Sequence, residues 1–516
     1  MRLWISLLAS LVGSVSAADV VSNAIDATEL TVYRDTNRGT DELSLNDDRS
    51  NGLAMVTETR TIEVPAGAST IQFRGVVDSI VPQTAKLEGI PATIVESNFD
   101  YNLLAPGTLI AKSLDRPVML IRTDRETGEI QERRGILRSG PDGVIVDFGG
   151  EIEALNCSGL HERLVLADVP ESLTETPTLS MKVRTAKAGK YQVQLSYLAL
   201  GMDWSADYSA RMDADGNRMD ISAWITLVNR NGSRLADATT HVVAGTLARQ
   251  EDETLAPDFD PPALSDRCWP IGDFRQRQRI KKQFDVIESH QMAPSMAISL
   301  DSIAVTASRV ARASELGDYK LYTLPFSTTV EPRQMKQAQL LDLSNVRIDR
   351  LYEYRVTQDI LSNDPAPESA RSLLRFTNTK DNGLGIPLPA GTWRIMKLTD
   401  DGRQYLLGEQ ALEDTPVDLP RDIYLGASND VTVLTRPVEE QSAEKESRDT
   451  IEVAIANAGA TTANVEILHS RQLIENGRIV EESQRHQTKR GDYVWVLRVP
   501  PHERTVLRYT VAAPKD

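Results

Sequence analysis

The chain has 516 residues, with 57 Lys and Arg against 74 Asp and Glu, for a formal net charge of −17. That length exceeds one core and suggests about three domains, and a hydrophobic content of 41% lets each bury an ordinary core. An acidic surface repels phosphate backbones and anionic headgroups, which disfavours nucleic acids and anionic membranes as partners.

Residues 1–17 carry Arg2, an apolar stretch from Leu3 to Val15, and the small residues Val15-Ser16-Ala17. This is the pattern of a secretory signal peptide cleaved between Ala17 and Ala18, and it implies an exported, periplasmic protein. No later segment approaches the roughly 20 apolar residues that a membrane-spanning helix needs. Cys157 and Cys268 are the only cysteines. In an oxidising compartment one such pair reads as a disulfide.

From Ala18 onward, period-2 alternation dominates. Residues 18–190 read as an N-terminal β-rich domain, with a Pro-turn hairpin over Ile62–Phe73 and a strand pair around Arg134–Phe148. Residues 191–437 read as a second β domain, opening on strands around Tyr191–Gly245 with a Trp–Tyr turn between them. An irregular insertion, at about 250–316, interrupts it. The insertion begins polar and Pro-rich, and Phe274–His290 is its helix candidate. Pro-containing turns join strands again over Pro387–Leu398 and Leu497–Val511. The charge-dense run 438–449 reads as a linker, and 450–516 as a small C-terminal sandwich. The expected class is therefore mainly β: tandem antiparallel β-sandwich domains with one irregular, partly helical insertion.

Chemistry is sparse. His161, His241, His290, His469, His486 and His502 are scattered, with no H-x-H or H-E-x-x-H arrangement. There is no G-x-S-x-G elbow, phosphate-binding loop or dinucleotide fingerprint. Ser442–Lys445 matches S-x-x-K only within the charged run. No catalytic residue, metal site or cofactor is implied. Trp204 and Tyr208 offer a possible ligand-stacking platform, against which stands their reading as core anchors around a strand bend. Asp203 and Asp207 flank the tryptophan. On an extended strand they would stand about 13 Å apart, beyond the ~5–9.5 Å of glycosidase carboxylate pairs, and in a turn they would be solvated turn residues.

Two resemblances add to this. Tyr197, Gly201, Trp204 and Tyr208, then Leu316–Tyr322, Lys336, Leu388–Thr392, Leu407-Gly408-Glu409, and Leu425-Gly426 before Asp430-Val431 stand in the order and spacing of the mucoidy-inhibitor-type exported proteins. That likeness spans about Tyr191–Thr510 and implies a β fold and an envelope location. The family has no established catalytic residues to carry over. Many of its members carry a coiled coil in the N-terminal half, and this chain lacks sustained heptads there. Separately, Asp301–Arg309 (DSIAVTASR) resembles the short box by which outer-membrane receptors engage the energy-transducing protein TonB. Its Asp301, Ile303, Val305, Thr306 and Arg309 suit strand addition to a partner.

The expected function is that of a non-catalytic cell-envelope interaction or scaffold module with an envelope protein partner. The alternatives are a periplasmic hydrolase or carbohydrate-binding protein with a spatially assembled site, and a TonB-type partner acting through 301–309.

Overall fold

Alternation of apolar and polar side chains extends through most of the chain, and it produces strands almost everywhere. In the computed structural model, strands account for 68% and helix for 2% of the described residues, which form several sheets and, among them, no closed barrel, a β-sandwich architecture. The structure describes residues 18–35, 38, 43–46, 52–100, 106–123, 127–139, 144–155, 161–170, 173, 175–248, 311–356, 365–399, 401–442, 446–471 and 477–514. Residues 1–17, the insertion up to residue 310 with its helix candidate, Cys157, Cys268 and the Asp301–Arg309 segment lie outside the described residues.

The largest sheet of the N-terminal half has eight strands. Its path runs Arg312–Leu316, Tyr319–Thr323, Leu235–Ala244, Ala27–Tyr33, Leu53–Val64, Gly189–Leu200, Ile80–Glu88, with Thr328–Val330 alongside Leu235–Ala244. A four-stranded sheet, Ala18–Ser22, Gly67–Arg74, Thr178–Thr185, Ala92–Asp100, packs beside it. A five-stranded sheet follows in the order Gln334–Arg347, Arg218–Asn229, Met202–Met212, Gly391–Leu398, Gln404–Leu412. One apolar core runs through all three, from Leu30 to Ile423, with Trp204, Tyr208 and Trp393 inside it. A separate five-stranded antiparallel sheet, within residues 117–166, has four strands in consecutive order and a fifth, His161–Leu166, that returns to pair with the first, Pro117–Thr123. It covers its own small core of Ile110, Val118, Leu120, Leu137 and Val146. It contains the expected pairing near Arg134–Phe148, seen as Ile136 opposite Asp147 and Leu137 opposite Val146.

The inward face of Leu53–Val64 carries a buried ion pair. Positions 54, 56, 62 and 64 are apolar, and between them Glu58 and Arg60 are also buried. Arg60 donates Nε–H to Glu58 at 2.8 Å and its NH groups to the Ser22 and Arg74 carbonyls, both at 2.9 Å. Tyr197 donates its hydroxyl to Glu58 at 2.6 Å. Charges in an apolar interior persist only when paired and hydrogen-bonded in this way.

The structure departs from the expected boundaries. The division at 190/191 falls inside Gly189–Leu200, which pairs with Leu53–Val64 along its whole length, so the N-terminal and middle blocks share a sheet and a core. The division at 437 falls inside the strand Pro420–Ser442, and the run 438–449 is not a linker. Glu439 to Ser442 pair with Thr450 to Ser447 in a hairpin with Glu446–Asn457. Ladder hydrogen bonds use only the backbone, so charged side chains on both faces do not prevent pairing. Strand Arg504–Pro514 and its neighbours are likewise not an independent sandwich. They form a nine-stranded sheet with Asp349–Val356, Glu368–Thr377 and Pro420–Ser442, over a core from Tyr352 to Val511. The pairing is not purely antiparallel either. Ala18–Ser22 with Gly67–Arg74, Ala27–Tyr33 with Leu235–Ala244, Met202–Met212 with Gly391–Leu398, and Asp349–Val356 with Ala463–His469 are parallel pairs.

Candidate functional site

Met202–Met212 is one continuous strand and not a turn. The change of direction sits before it, at Gly201, whose φ of 75° belongs to the left-handed region that glycine enters without steric cost. Within the strand, side chains alternate between two faces. Trp204, Ala206, Tyr208, Ala210 and Met212 are buried in the core, while Ser205, Asp207, Ser209 and Arg211 point outward.

That placement leaves Trp204 and Tyr208, at 0% and 1% exposure, with no surface on which a ligand could stack. Trp204 donates its indole N–H to the Val243 carbonyl at 3.1 Å. Tyr208 stacks on Trp393 with centroids 4.3 Å apart and planes 7° from parallel, and donates its hydroxyl to the Pro389 carbonyl at 2.7 Å. Asp203 is not a solvated turn residue. It is fully buried, and it accepts hydrogen bonds from the backbone N–H groups of Asp35 (2.9 Å) and Trp204 (2.7 Å) and from Arg38 Nε (2.7 Å). A buried carboxylate needs such a set of donors to offset its desolvation.

The outward face of the same sheet forms the floor of a pocket of about 260 Å³. Ser205, Asp207, Thr226, Gln337, Thr392 and Arg394 come from four adjacent strands, and Arg34, Arg38 and Leu43 come from the chain after Ala27–Tyr33. Register explains the convergence. Ser205 lies opposite Thr226, Thr226 opposite Gln337, and Asp207 opposite Thr392. The parallel strand reaches this position because Gly391 carries no side chain; a Cβ there would lie 2.0 Å from the Ala206 carbonyl oxygen.

The floor is a hydrogen-bonded network. Thr226 donates to Asp207 at 2.6 Å, and Gln337 donates to Thr226 at 3.2 Å. Arg394 reaches Asp207 at 3.4 Å and pairs with Glu409 at 2.6 Å. Burial pushes the Arg34 guanidinium below its ordinary range, an effect opposed by Asp414 and Asp203. Three guanidinium groups, Arg34, Arg38 and Arg394, and one carboxylate, Asp207, line the pocket, with Asp203, Glu409 and Asp414 as carboxylate neighbours of those arginines outside the lining. This arrangement can hold a polar ligand in a fixed orientation. Since Asp203 and Asp207 are four residues apart on one strand, their separation is about 13 Å, too wide for a cooperating carboxylate pair. Among the described residues no group of three His, Cys, Asp or Glu side chains is arranged to hold a metal ion, and no helix is long and apolar enough to cross a membrane.

No family model matches the chain, and no curated protein matches it. Of the site residues anticipated from sequence, Trp204 and Tyr208 lie beneath the sheet that carries the pocket. Arg34, Arg38, Thr226, Gln337 and Arg394 were not anticipated. The outward alternation that marks Ser205 and Asp207 was present in the sequence, but pairing between distant strands is what assembles the others beside them.

Proposed function

We propose that the chain is a non-catalytic binding module of the cell envelope, with the pocket on the five-stranded sheet as its ligand-binding surface. The observation that carries this reading is the commitment of the carboxylates at the pocket. Asp207, the carboxylate of the lining, is engaged by Thr226 and Arg394, and the fully buried Asp203, outside the lining, is engaged by two backbone N–H groups and holds the lining residue Arg38, so both organise the pocket walls. In this reading the chain is exported to the periplasm by residues 1–17, Cys157 and Cys268 form a disulfide, and the likeness to mucoidy-inhibitor-type proteins reflects a shared β architecture.

The test is a thermal-shift screen of small polar ligands on the full exported chain, with Asp207→Asn and Gln337→Ala as pocket variants. Ligands that stabilise the parent and fail on both folded variants support the reading. Turnover of a chromogenic glycoside, ester or phosphate that Asp207→Asn abolishes would overturn it.

A further inference from the structure

On the outward face of the five-stranded sheet, next to the pocket, stands a tryptophan that packing does not explain. Trp224 is 40% exposed, whereas Trp204, Trp393 and Trp495 are all 2% exposed or less. It belongs to strand Arg218–Asn229, where it lies opposite Asp207 on one neighbour and opposite Gln339 on the other. Side chains opposite one another in a sheet share a face, with Cβ atoms about 5 Å apart. The indole is therefore bordered by the carboxylate of Asp207 and the amide of Gln339, and Thr226, two residues along the same strand, lies in the pocket floor.

An apolar ring with planar hydrogen-bonding groups at its edge is a specific chemical combination. Carboxylate, amide and guanidinium groups each present two coplanar donors or acceptors, which match the vicinal hydroxyls of a pyranose. The C–H face of such a sugar is apolar and can lie flat on an aromatic ring. A phosphate or a carboxylate would need an excess of positive charge. Here each arginine of the lining has carboxylate neighbours: Arg394 is shared between Asp207 and Glu409, Arg38 is paired with Asp203, and Arg34 lies in the field of Asp414 and Asp203. An anion would have to compete with those carboxylates, while a neutral polyol would not.

We infer that this face binds a neutral saccharide, with one ring stacked on Trp224 and its hydroxyls hydrogen-bonded to Asp207, Gln339, Thr392 and Arg394. The inference rests on the binding-module reading and names the ligand class for the same site.

The experiment is a fluorescence and calorimetric titration of the full chain with neutral gluco-, manno- and N-acetylglucosamine oligosaccharides, beside uronic-acid oligosaccharides of similar length. At least one neutral series is expected to perturb the emission of Trp224 and to bind. Trp224→Ala should weaken that binding by about tenfold or more, Trp224→Phe should largely retain it, and Asp207→Asn should weaken it while melting like the parent. If no neutral series binds at about 10 mM, or if binding is indifferent to Trp224→Ala, the inference is wrong. Preference for the uronic acids would also overturn it. If sugars fail but another ligand from the thermal-shift screen is lost in Asp207→Asn, the saccharide inference falls and the binding-module reading stands. If no ligand depends on Asp207, both fall.

Discussion

His469 lies 4% exposed at the end of strand Ala463–His469, with Nδ1 2.8 Å from the Tyr509 hydroxyl. Its ring meets Tyr509 edge-on, and Tyr509 in turn stacks on Trp495. Burial lowers its imidazole from 6.5 to about 4, against a smaller upward pull from Asp492. Between these values the unfolded chain binds a proton that the folded chain does not, so stability rises with pH across that window and falls as pH drops through it. The contribution is fully present above the unfolded value and is nearly lost at the folded one. At about 1.4 kcal/mol per pH unit, the cost from this histidine is about 2 kcal/mol near pH 5 and about 3 kcal/mol near pH 4. The assay is urea unfolding of the parent and His469→Gln at several pH values, since glutamine cannot titrate there. Other titrating groups cancel in the difference between the two proteins, which should move by about 3 kcal/mol in favour of the variant between roughly pH 7 and pH 4. A constant difference, or an NMR titration of His469 centred at its unperturbed value, would refute the reasoning.

Three further outcomes follow from packing. Arg60→Met strands Glu58 in the core and should destabilise by about 3–5 kcal/mol in chemical denaturation, whereas combining it with Glu58→Leu should recover a large part of that loss. Gly391→Ala should cost about 1–3 kcal/mol, because the added methyl meets the Ala206 carbonyl oxygen at 2.0 Å; a melting temperature equal to the parent's would show that the parallel strand can shift. Trp393→Ala removes the ring between Tyr208 and Phe376, and should lower stability by about 3–5 kcal/mol in the same measurement.

The legible part of the fold was its local alternation. The Pro-containing turn expected within Ile62–Phe73 joins Leu53–Val64 to Gly67–Arg74, but the two strands form no hairpin: the first pairs within the eight-stranded sheet and the second within the four-stranded one, because each finds its ladder partners far away in sequence. The spacing of Trp204 and Tyr208 put both rings on one face of a strand, and that face is the core. Asp203 and Asp207 misled because aspartate is common in turns. Asp203 remains in a strand because Arg38, 165 residues away, supplies its partner. The run 438–449 misled because charge density resembles a linker, although a backbone ladder tolerates charged side chains on both faces. Trp224 gave no signal of its own, because its exposure depends on which face of the Arg218–Asn229 strand its neighbours cover.

Sequence alone determined that this chain is built of strands, because side-chain alternation is a local property that each segment carries by itself. Only the tertiary structure decided which strands are neighbours, and hence that Arg34, Thr226, Gln337, Thr392 and Arg394 meet Asp207 around one pocket. Strand pairing is set by long-range burial and backbone hydrogen bonding, and no single segment encodes its partner. The same long-range packing placed Trp204 in the core and left Trp224 at the surface.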